Sequence, residues 1–325
     1  MTQQPRSRCG GIIVPLITPL RADQSLDEPA LRRMVEHVLA GGVHGVFALG
    51  TMGEMPSLSR TMRDDVVRIV AETIARRVPL YVGITDPSFE ETVANAERYR
   101  ATGADFLVVL PPYYYPATGD DLRRYFEQLA ERTGGPLVLY DIPSLTKSPI
   151  PLDVLDALSR DPRIVGYKDS RNDPESLWQT VRRFEARDDF AIMVGIETYL
   201  PEAVLGRVTG GPAIAGLVPE TDMRGVAGGV TGSANVCPDL VVGVYNAARA
   251  GDLGALGPLR RRLDELIGIY KIGSGWGFVA PVKAACECLG LCERHVLPPL
   301  QPLGPEDVER VRSVLARVGV GCPRQ

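Results

Sequence analysis

Short apolar runs alternate with longer amphipathic stretches over most of the chain. The apolar runs hold few polar residues, as in FLVVL at 106–110 and LVLY at 137–140, which is typical of strands buried on both faces. The predicted strands span 11–18, 45–50, 80–84, 106–110, 136–141, 164–169 and 190–195. Two segments compete for an eighth strand, AIAGLV at 213–218 and GGVTGSAN at 228–235.

Apolar positions between these strands recur with the period of a helix. They predict helices at 28–40, 60–76, 89–102, 120–133, 152–159 and 174–186, and beyond residue 239 at 240–250, 256–270, 278–289 and 306–317. Alternating strands and helices indicate a parallel sheet with helices outside it. Eight such units would close an α/β fold of the (β/α)8 TIM barrel type, followed by a C-terminal helical domain. A doubly wound open sheet is the alternative, but no G-x-G-x-x-G follows the first strand.

Composition excludes several classes of partner. Hydrophobic residues make up 45% of the chain and charged residues 23%, and the net charge is −4. This balance gives no electrostatic footprint for nucleic acid or for an anionic membrane. No secretory signal precedes the six cysteines, so we expect reduced thiols and a cytoplasmic protein.

Three cysteines, Cys286, Cys288 and Cys292, lie close together in the sequence. On a continuous helix Cys288 and Cys292 would share a face, and Cys286 would point away from it. The spacing is not a recurrent zinc pattern. We therefore expect no metal site.

The chain has four lysines among its 36 basic residues, so an amine-dependent chemistry has few candidates. Lys168 ends the apolar sixth strand, where TIM barrels carry their active sites. Burial would lower its pKa and yield a neutral amine able to form a Schiff base with a carbonyl substrate. Alternatively, Lys168 pairs with Asp169 or with a neighbouring carboxylate at a strand end. Lys147 is expected in a loop, and Lys271 and Lys283 on solvated faces of the C-terminal helices.

The ends of neighbouring strands carry further candidate groups. Tyr140 ends the fifth strand, and its phenol could approach Lys168 and transfer protons, although a tyrosine there can also serve packing. The GTMGE turn at 50–54 exposes backbone N–H groups that suit a substrate carboxylate. The aromatic PPYYYP segment at 111–116 could cap a pocket or pack in a subunit contact.

In order and spacing, these motifs resemble the dihydrodipicolinate synthase/N-acetylneuraminate lyase family of pyruvate-dependent class I aldolases. The motifs are GTMGE at 50–54, PPYYYP at 111–116, YDIPS at 140–144, GYKDS at 166–170, GSANV at 232–236 and PVKAACECLGL at 281–291. The resemblance implies a barrel with a C-terminal helical domain, assembled as a homotetramer or homodimer. It also implies pyruvate or another 2-oxo acid as substrate, and no cofactor.

The resemblance assigns roles to individual residues. Lys168 would form the Schiff base, and Tyr140 would act as acid and base. Thr51 and Tyr114 would relay the proton, and in many members the second tyrosine comes from another subunit. The backbone of Thr51 and Met52 would hold the pyruvate carboxylate.

Departures from the family pattern bear on the substrate. Leu145 stands where synthases carry an arginine for the carboxylate of the aldehyde substrate, a partner that leucine cannot replace. N-acetylneuraminate lyases and some sugar-acid aldolases also have leucine there. Glu197 and Thr198 lie where sialic acid lyases bind the polyol tail, and Ser233 is a further candidate for substrate binding. Asp141 replaces the usual asparagine.

The chain exceeds the family pattern before its last strand, which indicates an insertion around 206–227. The expected domains are thus a barrel over 1–237 and a helical domain over 238–325. The predicted activity is that of a carbon–carbon lyase releasing or using pyruvate, with a 2-keto-3-deoxy sugar acid or an N-acetylneuraminate-like substrate.

Three alternatives remain open. A dehydratase would use the same imine to expel water from a 2-keto-3-deoxy sugar acid. A 4-hydroxy-tetrahydrodipicolinate synthase would need another arginine, for which Arg171 is the candidate. A non-catalytic barrel that binds sugar acids would have kept the fold and lost the reaction.

Overall fold

The computed structural model describes residues 9–206, 224–273 and 277–321. Its eight strands follow one another in chain order around a closed barrel, which confirms the predicted TIM barrel and excludes the open sheet. The strands are β1 Gly11–Pro15, β2 Gly45–Ala48, β3 Leu80–Gly83, β4 Phe106–Val109, β5 Leu137–Asp141, β6 Ile164–Asp169, β7 Ala191–Val194 and β8 Gly228–Val230. The eighth strand forms within GGVTGSAN. The competing segment at 213–218 and most of the expected insertion, 207–223, lie outside the described residues.

The helices closely follow the predicted positions, and several of them begin after a capping side chain. Ser59 and Thr118, for example, accept hydrogen bonds from backbone N–H groups of the first turns of the helices that follow them. The helices are α1 Glu28–Ala40, α2 Arg60–Ile74, α3 Phe89–Thr102, α4 Gly119–Thr133, α5 Pro143–Thr146, α6 Leu152–Leu158, α7 Pro174–Phe184, α8 Leu200–Leu205, α9 Pro238–Ala250, α10 Leu253–Leu266, α11 Val279–Cys288 and α12 Pro305–Val318. The short helices α5 and α8 are additions to the prediction, and each begins at or next to a proline.

Two compact units make up the chain. One comprises the described residues of Met1–Gly11 and Tyr81–Val230, and the other those of Ile12–Leu80 and Thr231–Gln325. The expected division into 1–237 and 238–325 stays a prediction. Within the described ranges, no helix is long and apolar enough to cross a membrane.

In the first unit, β5 and β6 pair in parallel and are buried along their whole length. Their register sets Tyr140 opposite Lys168 and Asp141 opposite Asp169. Since successive side chains of a strand point to opposite faces, the first pair lies on one face of the sheet and the second pair on the other.

In the second unit, the segment after β8 is tied to β1 by one side chain. The buried Asn235 accepts a hydrogen bond from Ile17 N and donates to the carbonyls of Pro15 and Gly232. A single amide thus satisfies three backbone groups, which sets the position of the GSANV segment against the end of β1.

Candidate active site

Lys168 is the penultimate residue of β6, and its side chain is 5% exposed. Burial lowers the pKa of its amine, and this effect is opposed by the nearby Tyr140 and Glu197. A larger fraction of the amine is therefore neutral near physiological pH than for an exposed lysine. Such an amine is suited to attack a carbonyl carbon.

Tyr140 lies directly beside this amine. The Nζ atom of Lys168 is 3.7 Å from the centroid of the Tyr140 ring, and a hydrogen bond between the two side chains acts on the pKa of the lysine. Tyr140 itself is 3% exposed. The structure thus brings a hydroxyl and an amine together in a site shielded from bulk water, a geometry that permits proton transfer between them.

The residues after β7 shape the space around the lysine chain. A Cβ atom on Gly195 would overlap the Ser170 hydroxyl, and it would lie 3.0 Å from the carbonyl oxygen of Asp169 and 3.1 Å from Cε of Lys168. Glycine at this position therefore leaves room for the lysine. Glu197 is 7% exposed, and its charge acts on the pKa of Lys168. Thr198 follows it and is half-buried.

On the other face of β5 and β6 lies a charged network that the sequence did not predict. The Asp141 side chain is fully buried, and its Oδ2 accepts from Arg171 Nε at 2.6 Å, from the Tyr167 hydroxyl at 2.9 Å and from Ile150 N at 3.2 Å. Burial raises the pKa of Asp141, while the Arg171 guanidinium opposes that rise.

The Arg171 guanidinium has further partners. Besides Asp141, it donates to the Ser176 hydroxyl at 2.9 Å and to the carbonyl of Ile150. All three guanidinium nitrogens are thus engaged within the protein. A guanidinium group whose nitrogens are occupied in this way is poorly placed to bind the carboxylate of a substrate.

The aromatic segment after β4 is open to solvent. Tyr114 is 83% exposed and Tyr115 78% exposed, and their rings meet edge to face. Tyr114 also adopts a φ of 110°, which is unusual for a residue with a side chain. Leu145, in the short helix α5, is half-buried.

The remaining candidates belong to the second unit. In the GTMGE turn, Gly53 N donates to Gly50 O and Glu54 N donates to Thr51 O, each at 3.1 Å. Met52 is 8% exposed, and its thioether lies 3.4 Å from the position of a Cβ on Gly232. The structure therefore brings the turn that carries Thr51 and Met52 against the GSANV segment, in which Ser233 is fully buried.

Lys283 lies in an environment that differs from the predicted one. Its side chain was expected on a solvated helix face, but it is fully buried and pairs with Glu54. The neighbours of Lys283 on α11 include Ala284, Ala285 and Cys286, all of them buried. Of the residues of α11, only Glu287 is not buried, so the helix offers Lys283 no solvated face, and this run of small residues is the signal in the sequence.

The cysteine cluster also differs from its expected geometry. Helix α11 ends at Cys288, before Cys292, so the two do not share the face of one continuous helix. Instead, Cys286 and Cys292 are hydrogen-bonded to each other, and this contact raises the pKa of Cys286.

Comparison with known proteins identifies relatives over almost the full chain. Residues 8–318 match the sequence model of the Dihydrodipicolinate synthetase family. An uncharacterized DapA-like lyase of Halobacterium salinarum is 33% identical over 310 residues, which cover 95% of this chain and 94% of the relative. The "Probable 2-dehydro-3-deoxy-D-pentonate aldolase YjhH" of Escherichia coli K12 is 30% identical over 313 residues, with coverage of 95% and 97%.

Solved structures give the same grouping. Dihydrodipicolinate synthase from Bacteroides thetaiotaomicron is 32% identical with a TM-score of 0.85, covering 95% of this chain and 98% of that one. YagE, a prophage protein from Escherichia coli K12 solved in complex with pyruvate, is 26% identical with a TM-score of 0.86, covering 96% and 99%. The chain is thus similar both to a named synthase and to proteins named as aldolases.

Proposed function

Because the chain belongs to the dihydrodipicolinate synthetase family, as its motifs indicated, we propose that it is a class I aldolase whose Lys168 forms a Schiff base with a 2-oxo acid. Proteins of this family are pyruvate-dependent aldolases and lyases. The observation that carries the proposal is the buried amine of Lys168, which lies against the ring of Tyr140. We propose that no further cofactor takes part.

The chemistry follows from these two side chains. The neutral amine attacks C2 of the 2-oxo acid, the carbinolamine loses water, and an iminium forms. The bond between C3 and C4 then breaks, its electron pair enters the iminium to give an enamine, and the C4 hydroxyl loses its proton. The fragment beyond C3 leaves as an aldehyde. Protonation of C3 and hydrolysis release pyruvate and restore the amine.

Tyr140 is the proposed acid and base in these steps, because its hydroxyl can reach the atoms bound to Lys168. Thr51 and Tyr114 would pass the proton onward, and the backbone of Thr51 and Met52 would bind the carboxylate of the 2-oxo acid. The exposed Tyr114 and Tyr115 favour assembly as a homotetramer or homodimer, in which a second copy covers them.

For the substrate, we favour a 2-keto-3-deoxy sugar acid or an N-acetylneuraminate-like compound. Leu145 offers no charge to a second carboxylate, and Arg171 is engaged by Asp141, Ser176 and Ile150. Both arguments disfavour dihydrodipicolinate synthesis. Glu197 with Thr198, and Ser233, can instead accept or donate hydrogen bonds to the hydroxyl groups of a polyol tail.

A screen for pyruvate release tests this choice. The protein is incubated with 2-keto-3-deoxy sugar acids and with N-acetylneuraminate, and pyruvate is measured in a coupled assay. The proposal predicts release from at least one of them, and loss of most of that activity in Tyr140→Phe. Consumption of a sugar acid by loss of water, without pyruvate, would indicate a dehydratase. Binding of a sugar acid without turnover would indicate a non-catalytic binding barrel. Rapid condensation of pyruvate with aspartate semialdehyde would instead support the synthase.

The same proposal includes the C-terminal helical domain and a cytoplasmic location. Size-exclusion chromatography with light scattering tests the assembly, and Tyr114→Ser combined with Tyr115→Ser is expected to weaken it. A monomeric wild-type protein with full activity would contradict the proposed role of a second copy.

A further inference from the structure

A fully buried ion pair lies beside the GTMGE turn, in the second unit. The Nζ atom of Lys283 on α11 is 2.5 Å from Oε1 of Glu54, and neither side chain has any solvent exposure. Lys283 Nζ also donates to the carbonyl of His295 at 2.6 Å, and Leu297 N donates to Oε2 of Glu54 at 2.7 Å. Both charges and both carboxylate oxygens thus have partners.

Stability alone is a weak reason for such a pair. Removing two charges from water is costly, and apolar residues of similar volume often stabilise a fold at least as well. A buried pair does fix the relative position of the segments that carry it, because its ion contact and hydrogen bonds form in only one arrangement of those segments. The question is therefore which segment this pair holds.

The pair holds the last residue of the GTMGE turn. Glu54 adopts a left-handed φ of 57°, a conformation that costs energy for a residue with a side chain. Its backbone N donates to Thr51 O at 3.1 Å, and its carbonyl accepts from Ser57 N at 2.9 Å. The side chain that meets Lys283 is thus linked to Thr51 through one hydrogen bond and three residues of backbone.

We propose that Glu54 and Lys283 are positioning residues, which hold the GTMGE turn in the conformation that presents the backbone of Thr51 and Met52 to the substrate carboxylate. The inference rests on the proposed function, since it assigns the turn to carboxylate binding. It gives the C-terminal helix α11 a direct part in substrate affinity, although α11 supplies no group to the reaction.

The test compares variants by the pyruvate concentration that gives half-maximal trapping with borohydride. In the double variant Glu54→Gln with Lys283→Met, both charges are removed, so no unpaired ion remains buried. Val282→Ala, at a fully buried neighbour on α11, is the control for loosened packing. We expect half-maximal trapping of the double variant to need about tenfold more pyruvate than that of wild type. For the control, the pyruvate concentration at half-maximal trapping should stay within about twofold of the wild-type value. At saturation, the adduct should still form on Lys168.

No adduct in wild type would overturn this inference together with the proposed function. If wild type forms the adduct, and the pyruvate concentration for half-maximal trapping of the double variant lies within about twofold of the wild-type value, this inference alone is overturned. An equal rise in Val282→Ala would also overturn it, because the effect would then reflect general loosening. If the double variant does not fold, Glu54→Asp, which keeps both charges but shortens the side chain that joins the turn to Lys283, is judged by the same criteria.

Discussion

Replacing Arg171 by methionine removes the cation that faces a fully buried carboxylate. In the native protein, Asp141 Oδ2 lies 2.6 Å from Arg171 Nε, and the Arg171 side chain is 18% exposed. Breaking a buried pair by removing one partner generally costs about 3–5 kcal/mol. Because water reaches part of the arginine, and because Tyr167 and Ile150 still donate to Oδ2, we expect a loss near the lower limit, about 3 kcal/mol of unfolding free energy.

A double-mutant cycle isolates this pair from the other contacts of Arg171. Asp141→Asn alone leaves a partly exposed arginine with its bonds to Ser176 and Ile150, and we expect a cost of about 1 kcal/mol. Combining the two substitutions removes the unpaired charge, so the double variant should be more stable than Arg171→Met alone. The predicted coupling between the two sites is about 2 kcal/mol.

The cost should also depend on pH. Burial raises the pKa of Asp141, and the guanidinium opposes that rise, so the pKa rises further in Arg171→Met. A carboxyl whose pKa is raised by folding favours the folded state at low pH, and that contribution is lost as the pH rises through the folded-state pKa. The deficit of Arg171→Met against wild type should therefore be larger at about pH 8 than at about pH 5.

Urea denaturation of the four proteins at both pH values measures these quantities. Additive effects of the two substitutions, or a deficit independent of pH, would refute the role assigned to the pair. Condensation of pyruvate with aspartate semialdehyde serves as a second readout. A wild-type condensation activity that Arg171→Met selectively abolishes would show that Arg171 binds substrate, contrary to the geometry described above.

Three further substitutions test the surroundings of the lysine. Glu197→Gln should move the acid limb of Schiff-base formation to lower pH, because the Glu197 carboxylate raises the pKa of Lys168; a shift to higher pH in the trapping assay would contradict this. Gly195→Ala should slow adduct formation at least about tenfold, since the added Cβ would overlap the Ser170 hydroxyl and would lie 3.1 Å from Cε of Lys168; an unchanged rate would refute the steric argument. Burial raises the pKa of Asp169 to about 6, so the native protein loses stability as the pH rises through that value. The unfolding free energy of Asp169→Asn relative to wild type should therefore be about 2 kcal/mol more favourable at about pH 8 than at about pH 4. A difference between the two proteins that does not change with pH in urea titrations would count against this.

The barrel and the approach of Tyr140 to Lys168 could be predicted from the sequence, because both depend on local patterns. Continuous apolar runs mark strands buried on both faces, and β6 occupies the predicted range Ile164–Asp169. Once two neighbouring strands are assigned, their ends lie at the same edge of a parallel sheet. The approach of Tyr140 to Lys168 follows from that arrangement.

The ion pairs could not be predicted in the same way. Glu54 and Lys283 are far apart in the sequence and meet only through the packing of α11, which periodicity does not reveal. Lysine is also rarely buried without a partner, so a solvated face was the natural expectation for Lys283. From its position after β6, Arg171 is a candidate for substrate binding. Its guanidinium is instead bound by Asp141 and by the backbone of Ile150, and the strand pattern does not predict where these groups lie.

Lys168 is the residue proposed to form the covalent bond to the substrate. The most direct measurement is to incubate the protein with pyruvate and borohydride and to locate the adduct by mass spectrometry of peptides. We expect one reduced pyruvate adduct on Lys168, its loss in Lys168→Ala, and its retention in Lys147→Ala, in which an exposed lysine is removed. No adduct in wild type, or an adduct that persists in Lys168→Ala, would rule out Lys168 as the covalent catalyst.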